Sequence, residues 1–492
     1  MYRSYYLRIT FFLSLSILAW LPVSSFAFNH LRANSASTES DVFPDPPGLR
    51  DAVQFWRQVF GVWRGNQVTL HDNEYLGAVY EVIHLPSSWR EELSSGQKEY
   101  IQDRREALEK KLEALENRLR YGLSLNTELQ GLHDVIVRAA GKFAVYGAAR
   151  RVRQQRGMRE RFLEGLQTSG RYDTHMREVF RNARLPEDLA YLPHIESSFV
   201  NHSRSQAGAA GVWQFMRSTG ALYMMINEAV DERFDPVFAA RGAARYLGGA
   251  YQRLGDWGLA ITSYNHGING MAAARDQYGR DIEKIVRNYK GRLFGFASRN
   301  FYAEFLAVRS IIGDLNKYFP GGVRLDPPID RARVRLMYPA TLAQLANDYG
   351  IGTGFVQALN PALTQPVING RIALPAGTEL WLPEHTVANR GSVTVNTRKY
   401  GTSPLEKPIF KPVFRALRNT APNKPVRVTA SRPSPVKKTA SRKSKFHLVR
   451  KGESPYGIAS RYGVQVGTMM AFNDLRPDDV IRPGQQLRIP MK

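Results

Sequence analysis

No cysteine occurs anywhere in the 492 residues. That excludes a disulfide framework, a thiolate metal site and a cysteine nucleophile. It also excludes lipid attachment through a cysteine at a signal cleavage site. Acidic residues are scarce: 44 Asp and Glu stand against 68 Lys and Arg, for a formal charge of +24. That balance calls for an acidic partner, and nucleic acid, anionic membrane and anionic cell wall all satisfy it. No His-Glu-x-x-His pair and no acidic calcium loop occurs, so the sequence supports no metal and no other cofactor.

Long apolar runs are also rare. One opens the chain, from Ile9 to Leu21 behind the basic head Met1 to Arg8. It has the length of a secretory signal core and is short for a membrane span. Ser25-Phe-Ala27 ends in small residues, so residues 1–27 read as a signal peptide, with an uncleaved anchor as the alternative. An exported protein has little access to nucleic acid. The cell wall is therefore the preferred partner, and the periplasm of a Gram-negative bacterium the expected location.

The stretch around which the rest is organised runs from Leu185 to Met216. Leu185, Leu189, Leu192 and Glu196 recur at spacings of three and four, so Glu196 shares the buried face of a short helix. Burial and the helix C-terminus both disfavour a charge there. Both raise the carboxyl pKa and suit Glu196 to be a general acid. A small-residue turn, Ser205-Gln-Ala-Gly-Ala-Ala-Gly, then leads into Val212-Trp-Gln-Phe-Met216 with its lone amide, Gln214.

Glu196-Ser-Ser-Phe199, Ser205, and Gly208-Ala-Ala-Gly-Val-Trp-Gln-Phe-Met216 resemble the soluble-lytic-transglycosylase domain, grouped with goose-type lysozyme. Farther on, Tyr264-Asn265 matches that family's Ala-Tyr-Asn-Ala-Gly motif, while Ser263 and His266 depart from it. Asn300-Phe-Tyr302 supplies a further cleft position. The resemblance implies a mainly α protein with a lysozyme-like α-helical catalytic domain over 171–313 and an N-terminal helical extension over 28–170. It implies Glu196 as single acid and base, with Ser205, Gln214, Tyr264, Asn265 and Tyr302 orienting it and an acetamido sugar. The substrate would be the bond between N-acetylmuramic acid and N-acetylglucosamine, ending in a 1,6-anhydro sugar. A muramidase using water and a non-catalytic wall-binding scaffold remain as alternatives. A second carboxylate near Glu196 would favour the muramidase.

Within the extension, residues 97–169 read as helical. Ile101, Leu108, Leu112, Leu115 and Leu119 form a stripe that fits an amphipathic helix on its own domain or a short dimerising coiled coil. The basic run Arg150 to Arg161 reads as a solvated helix face or a contact for anionic glycan. Asp231-Glu-Arg-Phe-Asp-Pro236 reads as a capped structural helix start. Residues 331–385 follow the rhythm of a divergent LysM-like module, and 386–445 read as a disordered basic linker. Residues 446–491 resemble LysM, a small α+β (βααβ) module that binds N-acetylglucosamine glycans. Gly452, Glu453, Ser454, Asn473 and Ile481 mark its expected glycan-binding region. Peptidoglycan strands are thus the expected partner, with periplasmic cell-wall proteins as further candidates and the oligomeric state open.

Overall fold

The structure, a computed structural model, describes residues 42–86, 89–90, 92–329, 331–388, 395–398, 444–450 and, beyond them, 458, 461–462, 469, 472–473, 475 and 484–490. The expected signal peptide, nearly all of the basic linker, and Gly452, Glu453, Ser454 and Ile481 lie outside the described residues. The chain divides into two compact units, Met1–Lys411 and Pro412–Lys492. It is mainly α-helical, with small sheets only among the described residues. None of the described helices is long and apolar enough to cross a membrane.

The first unit opens with α1 (Arg50–Gly61), which buries Val53, Trp56 and Phe60 on one face. Strands β1 (Gln67–Asp72) and β2 (Val79–His84) follow, then α2 (Ser95–Arg120) and α3 (Thr127–Ala140). A capping box between Ser94 and Gln97 starts α2, and the Asn126 side chain caps α3. Ile101, Leu108, Leu112 and Leu115 of α2 pack against Val68 and Leu70 of β1 and Leu129 and Ile136 of α3. The apolar stripe is therefore consumed inside its own domain, as an amphipathic helix rather than a coiled-coil seam.

The sequence reading fails at the basic run. Val152–Arg156 is a strand, β3, paired antiparallel to β1 with Leu70 opposite Gln154, in a sheet ordered β2-β1-β3. The edge of β1 needs a partner for its backbone groups, and that need overrides the helical look of its neighbours. Three of the run's six arginines are spent on structure. Arg151 pairs with the buried Asp72 at 2.9 Å. Arg156 donates to the carbonyls of Gly65 and Trp89, and Arg159 to those of Gly61 and Tyr318.

Next come α4 (Arg159–Ser169), α5 (Asp173–Asn182), a 3-10 turn (Glu187–Tyr191) and α6 (Leu192–Glu196). After a long loop, α7 (Pro236–Leu254), α8 (Trp257–His266) and α9 (Ile268–Tyr278) pack on one another, and α10 (Phe296–Gly313) lies against α1, α6 and α8. Alanines 239, 240, 243, 244 and 250 of α7 are buried, so neighbouring helices approach closely. Asp235 caps α7 by accepting from the amides of Val237 and Phe238, with Pro236 in the first turn.

Strand β4 (Ala332–Leu336), helices α11 (Leu342–Tyr349) and α12 (Thr353–Leu359), β5 (Glu379–Leu382) and β6 (Val395–Arg398) complete the described part of this unit. The sheet order is β5-β4-β6, all antiparallel. Asn360 ties helix to strand: its amide donates to the Val356 and Trp381 carbonyls, and its oxygen accepts from the Trp381 amide. The module is docked firmly. The Trp381 indole donates to Asp235 at 2.6 Å and stacks on Phe238 at 5.1 Å. Arg241 pairs with Glu379 at 2.7 Å, and the Asp231 amide donates to the Ala362 carbonyl.

In the second unit, β7 (Ser444–Leu448) pairs antiparallel with β8 (Gln486–Pro490). Asn473 repeats the bond pattern of Asn360: it donates to the carbonyls of Met469 and Arg488 and accepts from the Arg488 amide. Its side-chain amide thereby ties Met469 to the strand β8.

Candidate active site

Glu196 closes α6. Pro193 sits in the first turn of this helix, and the helix ends because Ser197 leaves helical geometry. Ser198 and Phe199 then take left-handed backbone angles, with φ of 51° and 57°. For residues with a Cβ this costs about 1–2 kcal/mol each, so packing must hold the turn. Phe199 is buried with its ring 4.6 Å from that of His194. The Ser197 hydroxyl donates to the Val212 carbonyl at 2.9 Å. Gly165 of α4 lies under Ser198, where a Cβ would come within 2.7 Å of the Ser198 carbonyl oxygen. Upstream, a buried ion network clamps the 3-10 turn: Arg177 pairs with Asp173 at 2.9 Å, and Arg309 of α10 with Asp188 at 2.7 Å.

Opposite lies the loop 203–216. It folds back on itself through bridges Arg204 to Ala210 and Ala210 to Phe215. Arg233 is its anchor. Its buried guanidinium grips Asp231 at 2.9 and 2.8 Å and donates to the Gly208 and Phe215 carbonyls. Gly211, at φ 75°, lies so close to the Arg233 carbonyl that a Cβ would collide with it. Gln214 is also left-handed, at φ 48°, and its amide donates to the Gly211 carbonyl at 2.7 Å.

Tyr264 of α8 joins the two halves. Its hydroxyl donates to the Trp213 carbonyl at 2.9 Å, and its ring meets Phe215 edge-on. It is an electrostatic neighbour of Glu196, and burial holds its phenol far above its usual range, so it stays neutral. Asn265 beside it is exposed and is oriented by the Ser298 hydroxyl at 2.7 Å.

Burial pushes the Glu196 carboxyl up to about 8, and the like charge of Glu304 on α10 adds to this. Burial pushes Glu304 up to about 8 as well. No hydrogen bond or cation stabilises the charged form of either group among the described residues. Both are protonated carboxylic acids over much of the neutral range. The five-residue α6 is too short to supply a full macrodipole, so burial, not the helix end, is the cause.

Of the expected site residues, Glu196 and Tyr264 are electrostatic neighbours; Gln214 follows Trp213, whose carbonyl accepts from Tyr264, and Asn265 follows Tyr264 on α8. Ser205 sits on the exposed turn, its hydroxyl accepting from the Ala209 amide. Tyr302 does not join them. It is buried, and its hydroxyl donates to the Pro44 carbonyl at 2.8 Å. Adjacent helix positions point about 100° apart, and it is Phe301 that stacks on Tyr264, at 6.4 Å. Sequence reading missed Phe301, Glu304 and Arg233. Among the described residues, no group of three His, Asp or Glu side chains is placed to hold a metal ion.

This geometry coincides with a family model. Residues 179–286 match the transglycosylase SLT domain, and residues 447–490 match the LysM domain. The chain carries an SLT domain. Glu196, the loop with Gln214, and the Tyr264-Asn265 pair all fall inside its matched stretch; Phe301 and Glu304 fall beyond it. The membrane-bound lytic murein transglycosylase D of Escherichia coli strain K12 is 28% identical over 329 residues, or 63% of this chain. The same protein from a second Escherichia coli strain aligns equally. The chain spans 61% of the length of these relatives. A solved structure, an inactive mutant of the lytic transglycosylase Slt from Pseudomonas aeruginosa, covers 42% of this chain and 31% of its own, at 18% identity and a TM-score of 0.25.

Proposed function

We propose that the protein is a peptidoglycan lytic transglycosylase of the cell envelope. The observation that carries this is Glu196, a protonated carboxyl with no protein partner among the described residues, next to the strained turn at Ser198 and Phe199 and an electrostatic neighbour of Tyr264. An SLT domain joined to a LysM domain and a likeness to murein transglycosylase D support the substrate class.

In this reading Glu196 donates its proton to the glycosidic oxygen between N-acetylmuramic acid and N-acetylglucosamine as the C1–O bond breaks. The sugar's own 2-acetamido group stabilises the positive charge that develops at C1. The Glu196 carboxylate then accepts the proton of the C6 hydroxyl as its oxygen bonds to C1. The products are a free 4-hydroxyl and a 1,6-anhydro end, and Glu196 is protonated again. Intramolecular attack replaces an external nucleophile by proximity. Gln214, Asn265 and Ser205 orient the sugar, and the LysM domain keeps the enzyme on the wall.

Glu304 favours a second reading, hydrolysis by a water that this carboxylate activates, since two carboxyl groups are the usual equipment of a glycosidase. Mass spectrometry of muropeptides released from purified sacculi separates the two. Anhydro ends, lighter by one water, are expected; reducing ends would make the enzyme a muramidase. Glu196→Gln is expected to abolish release while the protein still sediments with sacculi. Release by that variant would remove Glu196 from the mechanism.

A further inference from the structure

Glu304 is not part of the motifs that mark the catalytic segment, yet it lies against their acid. Helix α10 packs directly on α6. Phe301 of α10 stacks on Tyr264, and Glu304 stands one turn farther along the same face. Tyr264 and Glu304 are both electrostatic neighbours of Glu196. Two carboxyl groups and a neutral phenol therefore cluster, with no cation acting on either carboxyl among the described residues.

The remaining groups around α6 do not compete for this role. Glu187 and Asp188 of the 3-10 turn are taken by Arg181, Arg177 and Arg309. Helix α4 presents Phe162 and Gly165. His194 is buried and held neutral, first by burial and then by the charge of Arg177, which pushes it down to about 3.

We infer that Glu304 is a positioning residue for the proton of Glu196: a neighbouring carboxyl whose negative charge, as it forms, holds that proton on the acid until substrate takes it. The inference rests on the reading of Glu196 as the general acid, and it assigns Glu304 no bond to substrate or water. A like charge disfavours ionisation of its neighbour. When one carboxyl of the pair ionises, the other holds its proton to higher pH, so a single proton is retained at a pH where isolated carboxyls have none. Partial burial with no donor to either carboxyl among the described residues strengthens the effect, because the pair is screened less than at an open surface.

The test is the pH dependence of kcat/KM on soluble peptidoglycan strands, which reports the free enzyme's acid. Glu304→Gln is expected to move the alkaline limb down by about one unit, because Glu196 then loses its proton more easily. Glu304→Asp, which retains the charge, is expected to move it back toward the wild-type position. Circular dichroism of each variant checks that it is folded. An alkaline limb of Glu304→Gln that coincides with wild type would overturn the inference. So would loss of activity at every pH in a folded Glu304→Gln, which would make Glu304 the base that activates water. Failure of the underlying reading looks different: the wild-type protein would release no muropeptides, or Glu196→Gln would remain active.

Discussion

A carboxylic acid kept neutral near pH 7 has a cost that the folded state must carry. Glu196 and Glu304 both have pKa values raised from 4.5 to about 8 in the fold. The native protein therefore binds these protons more tightly than the unfolded chain. Their favourable contribution is complete below about pH 4.5 and is lost as pH rises through about 8. Replacing either by its neutral isostere removes that dependence. Glu196→Gln and Glu304→Gln are each expected to melt at higher temperature than wild type at pH 8, and at the same temperature near pH 4. Thermal unfolding followed at both pH values checks this; equal melting at pH 8 would mean that the carboxyls are solvated.

Single elements explain what a sequence reader could and could not see. The stretch from Glu196 to Met216 was legible because its chemistry is local: the acid, the small-residue turn and the amide follow one another along the chain. Tyr264-Asn265 was legible for the same reason. Phe301 was missed in favour of Tyr302 because only the rotation of α10 decides which neighbour faces Tyr264. Glu304 was illegible, since nothing in its local sequence announces that α10 lies on α6. Arg233 was visible only as part of a helix start, whereas in the fold it holds the loop that carries Gln214. Arg233→Met would leave the buried Asp231 carboxylate without its bidentate partner and with Arg217, at 3.6 Å, still beside it; breaking a buried pair costs up to about 3–5 kcal/mol. A large fall in melting temperature is expected, together with a loss of kcat exceeding any rise in KM. Wild-type stability in this variant would show that the loop needs no anchor.

At the scale of the whole molecule, the two small modules share one device and use it differently. Asn360 and Asn473 make the same three hydrogen bonds, one to the carbonyl four residues earlier and two to a residue of a returning strand. In one that residue is Trp381, fully buried against α7; in the other it is Arg488, exposed. We propose that residues 331–385 are a LysM-like module whose outer face has become an internal contact, and that the C-terminal module is the one that holds glycan. Deleting 446–492 is then expected to weaken sedimentation with sacculi more than it slows cleavage of short soluble strands. Equal losses in both assays would assign that module a structural role.

The bond from the Trp381 indole to the Asp235 carboxylate has a thermal consequence. That carboxylate also caps the central helix of the catalytic half, so breaking one contact loosens both partners at once. The two halves of the first unit are therefore expected to melt in one cooperative step, giving a single endotherm in calorimetry. Trp381→Phe, which keeps the stacking on Phe238 and loses a hydrogen bond to a charged group worth about 1.5–3 kcal/mol, is expected to lower that endotherm's temperature without splitting it. Two separated endotherms in the wild-type unit would show that the module folds on its own account.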